Sequence, residues 1–406
     1  MRIGRGRFPA PSRLSGKIVY NSLMDVIYLD NNASTRIDPA VVAAMRPYLE
    51  ECYGNPSSIH RLGQLARQAI DESRTKLARL IGCSDSEVTF TGGGTEAINT
   101  VLRGLLAARS PRTQIVTSMV EHSATRELCR QLEKAGSQVT WIGVDRDGML
   151  DMEMLRRAIG PETALATFLW ANNETGVIFP VAQIAAICQE HKVPFHCDAT
   201  QAMGKIPIDA RAAGFDAMSF AAHKFHGPKG VGGYYLRRRV RIGGLIVGGP
   251  QEHSRRGGTE NVPGIVGAAA AAELAAAHLA EIPRVAAMRD KLERAILDRI
   301  PETRVNGRVD QRIANTTNIG FRHLEAEAVL LLLSERGVCA SAGSACSSGS
   351  LEPSHVLRAM GVDETYAHGS LRFSLSRYTT EAELDTAVEI LSGAIAKLRQ
   401  VLPVGR

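Results

Sequence analysis

Between residues 88 and 236 short apolar runs alternate with longer amphipathic ones, and this alternation narrows the possible folds more than any other feature. Strand patterns fall at 88–91, 114–118, 138–142, 164–169, 193–197, 217–220 and 233–236, with helical patterns at 95–108, 124–135, 152–159 and 181–190 between most of them. Such alternation predicts a mainly parallel sheet covered on both faces, with sites at the carboxyl ends of its strands. Upstream, 26–30 reads as a short strand ending in Asn31-Asn32. Residues 39–50 read as a helix with Asp38 as N-cap and Pro39 at its first position. The turn-rich GNPSSIH at 54–60 leads to an amphipathic helix over 63–80. After Pro263 the pattern changes to an alanine-rich helix over 265–280, a second helix over 282–299, strands near 316–321 and 371–376, and a last helix over 381–398. Thr380 with Glu383 opens that last helix as a capping box. The expected division is a basic leader (1–23), an N-terminal segment packing with the small domain (24–39), a large domain (40–264) and a small α+β domain (265–406).

Composition excludes some classes of function. The chain is 44% apolar and 22% charged, an ordinary globular balance. No apolar run reaches the roughly 18 residues of a membrane-spanning helix, so no membrane partner is expected. The net charge is +6, and Arg2, Arg5, Arg7, Arg13 and Lys17 supply five of those charges in a leader without acids. The nearly neutral remainder argues against a nucleic-acid partner. The leader lacks an apolar h-region and so is no secretory signal. It reads as a disordered basic tail or, the preferred reading, as the product of a start codon upstream of Met24. Seven cysteines stand at 52, 83, 129, 188, 197, 339 and 346, odd in number and without a C-x-x-C pair. That argues against a disulfide framework or a preformed zinc or iron–sulfur cage, and fits a reducing cytoplasm.

Four strand ends carry chemistry. Residues 219–230 read SFAAHKFHGPKG and place Lys224 at the mouth of a buried strand, beside His223 and small residues. A partly desolvated amine there suits a Schiff base, against the alternative of a lysine snorkelling to solvent. Only nine of the 48 basic residues are lysines, so lysine is not surface filler in this chain. TGGGT at 91–95 ends a strand and opens a helix, where backbone N–H groups and the helix dipole favour a phosphate, although such a turn can be only a turn. It has neither the P-loop nor the Rossmann spacing. Asp198 ends the strand VPFHCD and can hold a protonated pyridine nitrogen of pyridoxal phosphate, or serve as a helix cap; Gln201 can reach the ring hydroxyl. His122 follows QIVTSMVE at the same rim, placed to stack on a planar cofactor unless it is merely structural. The four together are far more specific than any one alone.

YLDNNAST, GNPSSIH, TGGGTEAIN, EHSA, WANNETG, HCDATQAMGKIPID, HKFHGPKG, QEHSRRGGTEN, SAGSACSSGSLEPSHVLRAM and AHGSLRFSLSRYTTEAELD carry a resemblance across nearly the whole chain. It is similar to the class V enzymes of the fold-type I, pyridoxal-phosphate-dependent transferases, and within them to cysteine desulfurases of the nitrogenase-associated NifS branch. The resemblance implies an α/β fold with a mainly parallel seven-stranded sheet in a large domain plus a smaller α+β domain. It implies pyridoxal 5′-phosphate as cofactor, Lys224 as the Schiff-base lysine and His122 as the ring-stacking acid/base. Asp198 and Gln201 would be the pyridinium and phenolate partners. Gly94, Thr95 and His223 would be phosphate ligands, with Ala221 and Ala222 beside them. Asn173 would touch cofactor and substrate, and Arg372 would grip the substrate carboxylate. Thr259 would reach the phosphate of a neighbouring subunit, implying a homodimer with a shared site.

Cys346 picks the reaction. It lies in the small-residue run SAGSACSSGS at 341–350, where a thiol packs poorly but can travel, whereas the other six cysteines read as buried small hydrophobes. The resemblance makes Cys346 the persulfide carrier, with transient iron–sulfur ligation as a lesser role. Two positions depart from the family pattern: Ala221 lacks the usual serine hydroxyl before Ala222-His223-Lys224, and Gly92 replaces a serine in the phosphate turn. The implied activity is conversion of L-cysteine to L-alanine, with sulfane sulfur passed to an iron–sulfur scaffold that serves nitrogenase or general assembly. Alternatives are a selenocysteine lyase or class V aminotransferase on the same scaffold, and an iron–sulfur carrier.

Overall fold

The computed structural model describes residues 26–342 and 352–401. The expectations for the leader and for Cys346 lie outside the described residues. After β1 (Ile27–Tyr28) come α1 (Pro39–Glu50) and α2 (Arg61–Ile81), and then the alternating region. Its strands are β2 (Val88–Thr91), β3 (Gln114–Ser118), β4 (Gln138–Ile142), β5 (Thr163–Leu169), β6 (Phe195–Asp198), β7 (Ala217–Ala221) and β8 (Gly232–Leu236). They form one seven-stranded sheet in the order β2-β8-β7-β6-β5-β3-β4, in which β8 alone runs against its neighbours. Every residue of β5 is buried, as expected of a strand covered on both faces.

Successive residues point to opposite faces of a strand, and the two faces enter different apolar clusters. Ile115, Leu165 and Ala217 meet Ile98, Val101 and Leu128 of α3 (Gly94–Ala108) and α4 (Ser123–Lys134). Val116, Ala166 and Met218 face the larger cluster with Ile70 and Leu77 of α2. Of the remaining helices in this region, α5 (Met152–Ala158) and α6 (Val181–Glu190) also pack into that larger cluster, through Leu155 and Ile184.

The alanine-rich helix begins at Val262, because Pro263 sits in its first turn rather than before it and the Asn261 side chain caps Gly264 N–H. It ends at Ala277, and the next helix, Ile282–Arg299, follows a tight turn at His278–Glu281. By length and composition the run Val262–Arg299 could cross a membrane. In the fold, Ala268, Ala271, Ala272 and Ala275 are buried in the cluster that also holds α2. Val356, Leu357 and Met360 belong to that same cluster, so the boundary between the two cores does not follow a single cut at residue 264.

The second core joins Ile27 and Leu29 to the helices Ile282–Arg299 and Glu381–Val401 and to a three-stranded antiparallel sheet. The strands of that sheet are β9 (Thr303–Val305), β10 (Thr316–Phe321) and β12 (Ser370–Ser374), with β10 in the middle. The capping box is present: Glu383 N–H donates to Thr380 Oγ1, and Thr380 N–H donates to Glu383 Oε2. The segment after β1 ties the cores together. β1 pairs with β11 (Val338–Cys339) and Asp30 bridges Ser374, while Thr35 N–H donates to the His223 carbonyl at 2.9 Å.

Candidate active site

The carboxyl ends of β2, β3, β5, β6 and β7 open on one cavity of about 510 Å³. Its lining includes Gly94, Thr95, His122, Asn173, Asp198, Gln201, Ala221, His223, Lys224 and Arg372. Local chemistry explains each placement. Gly93 takes φ +151°, a region open to glycine, and turns the chain from β2 into α3. The first N–H groups of α3 therefore face the cavity without intrahelical partners. A Cβ on Gly232 would lie 2.8 Å from the Gly93 carbonyl carbon, so β8 needs a glycine there for the turn to settle. Ala222 lies against the turn that carries Lys224: it is fully buried, and a Cβ on Gly227 would lie 2.8 Å from its methyl.

Lys224 Nζ donates to the carbonyls of Asn32 (2.7 Å) and Ala33 (2.9 Å). Gln201 Nε2 donates to the same Asn32 carbonyl at 2.9 Å. Lys205 Nζ donates to Gln201 Oε1 at 2.5 Å and to Asn32 Oδ1 at 3.0 Å. The Lys205 bond fixes which end of the Gln201 amide is the donor, leaving an N–H for an acceptor in the cavity. Burial, followed by the charges of Lys224 and Arg372, holds the Lys205 ammonium well below its usual pKa. Asn32 and Lys205 were not singled out by the sequence, although both lie in its motif stretches YLDNNAST and HCDATQAMGKIPID.

His122 is the N-cap of α4, and its Nδ1 accepts the Ala124 N–H at 3.1 Å. That bond requires an unprotonated Nδ1, so the proton of the neutral ring sits on Nε2. Burial lowers its pKa; Asp198 opposes the shift, while Lys224 and Arg126 add to it. The next-door Glu121 is fully buried, and its pKa is pushed up to about 8, chiefly by burial. Asp198 is itself buried and accepts Thr200 N–H at 2.9 Å. His223 faces Ser34 Oγ at 3.3 Å, and its pKa is lowered to about 4 by burial and then by Lys224.

Arg372, on β12, is 2% exposed. Its Nη2 meets Asp30 Oδ1 at 2.7 Å and its Nη1 donates to the Asn173 carbonyl at 2.9 Å. Its backbone pairs with Ser341, the residue at which the chain approaches the Cys346 segment. On the far side of that segment Ser354 Oγ donates to the buried Glu174 at 2.5 Å, and His355 Nε2 lies 3.0 Å from the Glu121 carbonyl. Both roots thus rest on the cavity, although Cys346 itself lies outside the described residues. Burial raises the thiol pKa of Cys83, Cys129, Cys188, Cys197 and Cys339, which disfavours their thiolates. Thr259 is exposed and lines none of the described cavities.

The donor set suits a planar pyridine bearing a phosphate. An amine, a carboxylate and a neutral histidine face one space, and the N-terminus of α3 opens on it. The Thr200 hydroxyl is buried against it with no hydrogen-bond partner among the described residues. These residues fit the site of a pyridoxal-phosphate enzyme.

Residues 27–386 match the family model of class V aminotransferases. The chain is 50% identical over 380 residues to Cysteine desulfurase 2 of Trichormus variabilis, covering 94% of this chain and 96% of that protein. The solved structure of a NifS-like protein superposes with a TM-score of 0.87 at 36% identity, covering 92% of this chain and all of that one. SspA, solved in complex with cysteine, superposes with a TM-score of 0.77 at 33% identity, covering 87% of this chain and 99% of its own. The chain belongs to the class V aminotransferase family, whose cysteine desulfurases use pyridoxal phosphate.

The buried histidines set a pH dependence of stability. His196, His223, His226 and His355 have folded pKa values lowered from 6.5 to about 4, in each case chiefly by burial. Between those values the unfolded chain binds more protons than the folded one, so stability rises with pH. Glu121, raised from 4.5 to about 8, and Glu174, also raised, oppose this with fewer protons. Denaturant midpoints should therefore fall steadily from pH 7 to pH 5; a flat or rising profile would mean that the histidines are not held neutral.

Proposed function

We infer that the chain is a cysteine desulfurase, which converts L-cysteine to L-alanine and passes the sulfur on as a persulfide. One observation carries this reading: an amine, a neutral histidine, a carboxylate and an arginine converge on one cavity in a chain half identical to cysteine desulfurases. Bound pyridoxal phosphate supplies a carbonyl for amines and an electron-poor ring that draws electrons from the substrate Cα. Lys224 would hold it, with Asp198 at the ring nitrogen, the free N–H of Gln201 at the ring oxygen, and Gly94, Thr95 and His223 at the phosphate.

Arg372, oriented by Asp30, offers its guanidinium to the substrate carboxylate, with Asn173 alongside. Lys224, which would hold the cofactor, would also serve as the base at the Cα proton. His122 enters neutral with its proton on Nε2, so it can give that proton and take one back at neutral pH. Cys346 is the nucleophile. Its thiolate forms the new S–S bond to the substrate sulfur as the substrate C–S bond breaks, and protonation at carbon completes alanine. Cys346 follows Ser341 by five residues, a tether of about 17 Å at full extension.

A second copy of the chain would complete the site through its Thr259. The exposed apolar side chains of Ile59 (92%), Tyr53 (74%) and Val247 (90%) support such an association. The sulfur acceptor of this reading is an iron–sulfur assembly scaffold. The six described cysteines are free thiols, in keeping with the cytoplasm.

The purified protein should show a visible absorbance band and release alanine from L-cysteine in the presence of a thiol reductant. Lys224→Ala should lose both, and borohydride reduction of the wild type should leave the pyridoxyl group on Lys224; a label on Lys205 or Lys229 would refute the assignment. Cys346→Ser should still take up the cofactor and change its spectrum on adding L-cysteine, yet release no alanine. Wild-type alanine output from that variant would require a different chemistry.

A further inference from the structure

A phosphate at the N-terminus of α3 needs donors from the strands that face it, and β7 ends there in the methyl group of Ala221, which has none. A Cβ built on Gly94 would lie 3.4 Å from the Ala221 methyl and 3.4 Å from Thr200 Oγ1, so both side chains face the start of α3. Thr200 Oγ1 is buried, lines the cavity and has no hydrogen-bond partner among the described residues. Buried hydroxyls are ordinarily bonded, and one left without a partner beside a helix N-terminus points to an anion as that partner. The backbone already holds Thr200 in place, through its N–H to Asp198 Oδ1 at 2.9 Å.

We propose that the Thr200 hydroxyl donates to the cofactor phosphate, in the place where Ala221 offers no donor. The proposal rests on the pyridoxal-phosphate reading and concerns this chain's own pairing of threonine with alanine. Threonine at 200 and serine at 221 are then alternative carriers of one hydrogen bond.

The test is cofactor affinity. The full-length wild type, Thr200→Val, Ala221→Ser and the double variant are freed of cofactor and titrated separately with pyridoxal phosphate and with pyridoxal, which has no phosphate. Thr200→Val should weaken pyridoxal phosphate by roughly tenfold to a hundredfold, the worth of a hydrogen bond to a charged group. Pyridoxal binding should not change, because the lost bond is to the phosphate. Ala221→Ser should add little to the wild type, yet recover most of the loss in the Thr200→Val background.

An unchanged affinity in Thr200→Val would overturn the proposal, and so would an equal loss for pyridoxal, which would place the effect at the ring. If Thr200→Val does not fold, Ala221→Ser alone decides: a tenfold or greater tightening would show that the donor position is empty in the wild type. Failure of the wild type to bind pyridoxal phosphate at all would remove the cofactor reading itself, a result separate from these.

Discussion

Asn32 holds the site together. Its carbonyl accepts Lys224 Nζ and Gln201 Nε2, and its Oδ1 accepts Lys205 Nζ and Asn315 Nδ2. Its Nδ2 donates to Thr316 Oγ1 and the Asn173 carbonyl, and its backbone N–H to Ser374 Oγ. One residue, 1% exposed, thus satisfies partners from β6–β7 of the large sheet and from β10 and β12 of the small one. Buried polar groups are costly unless bonded, so this arrangement ties the placement of the amine to the packing of both cores.

Around that centre the charges are matched by position. The ammonium of Lys205 is buried beside Lys224 and Arg372, and burial and those like charges disfavour its charged form. Arg372 is balanced by Asp30 on the same N-terminal segment. The imidazole of His122 keeps its Nδ1 engaged in capping α4, which leaves Nε2 as the only atom through which it can exchange a proton with a ligand. In the proposed function a substrate carboxylate would go toward Arg372 and a phosphate toward the start of α3, and Lys224 lines the same cavity.

Much of this was legible in the sequence because strands buried on both faces read as continuous apolar runs. Of the seven large-sheet strands, β2, β3 and β4 coincide with their apolar patterns, β5, β7 and β8 begin and end within one residue of theirs, and β6 begins two residues later than its own. Residues at strand ends share a rim by topology alone, which is why Lys224, Asp198 and His122 could be placed together. Local periodicity does not carry long-range pairing. The bond from Lys205 to Asn32 spans 173 residues and that from Ser374 to Asn32 spans 342, and neither leaves a local signal. The start of the alanine-rich helix was misplaced because Pro263 reads as a boundary when it lies in the first turn. Thr200 stands inside a motif stretch, but only the packing shows its hydroxyl facing the start of α3 with no protein partner among the described residues.

In the proposed reaction sulfur leaves L-cysteine onto Cys346 and onto no other thiol. The most direct measurement is peptide mass mapping of the holoenzyme after reaction with L-cysteine in the absence of reductant, with alanine counted in parallel. One added sulfur atom is expected on the peptide carrying Cys346, formed in step with one alanine per site, and none on the peptides carrying Cys83, Cys129, Cys188 or Cys197. Sulfur on one of those four thiols, or alanine formed with no sulfur on any peptide, would refute this route.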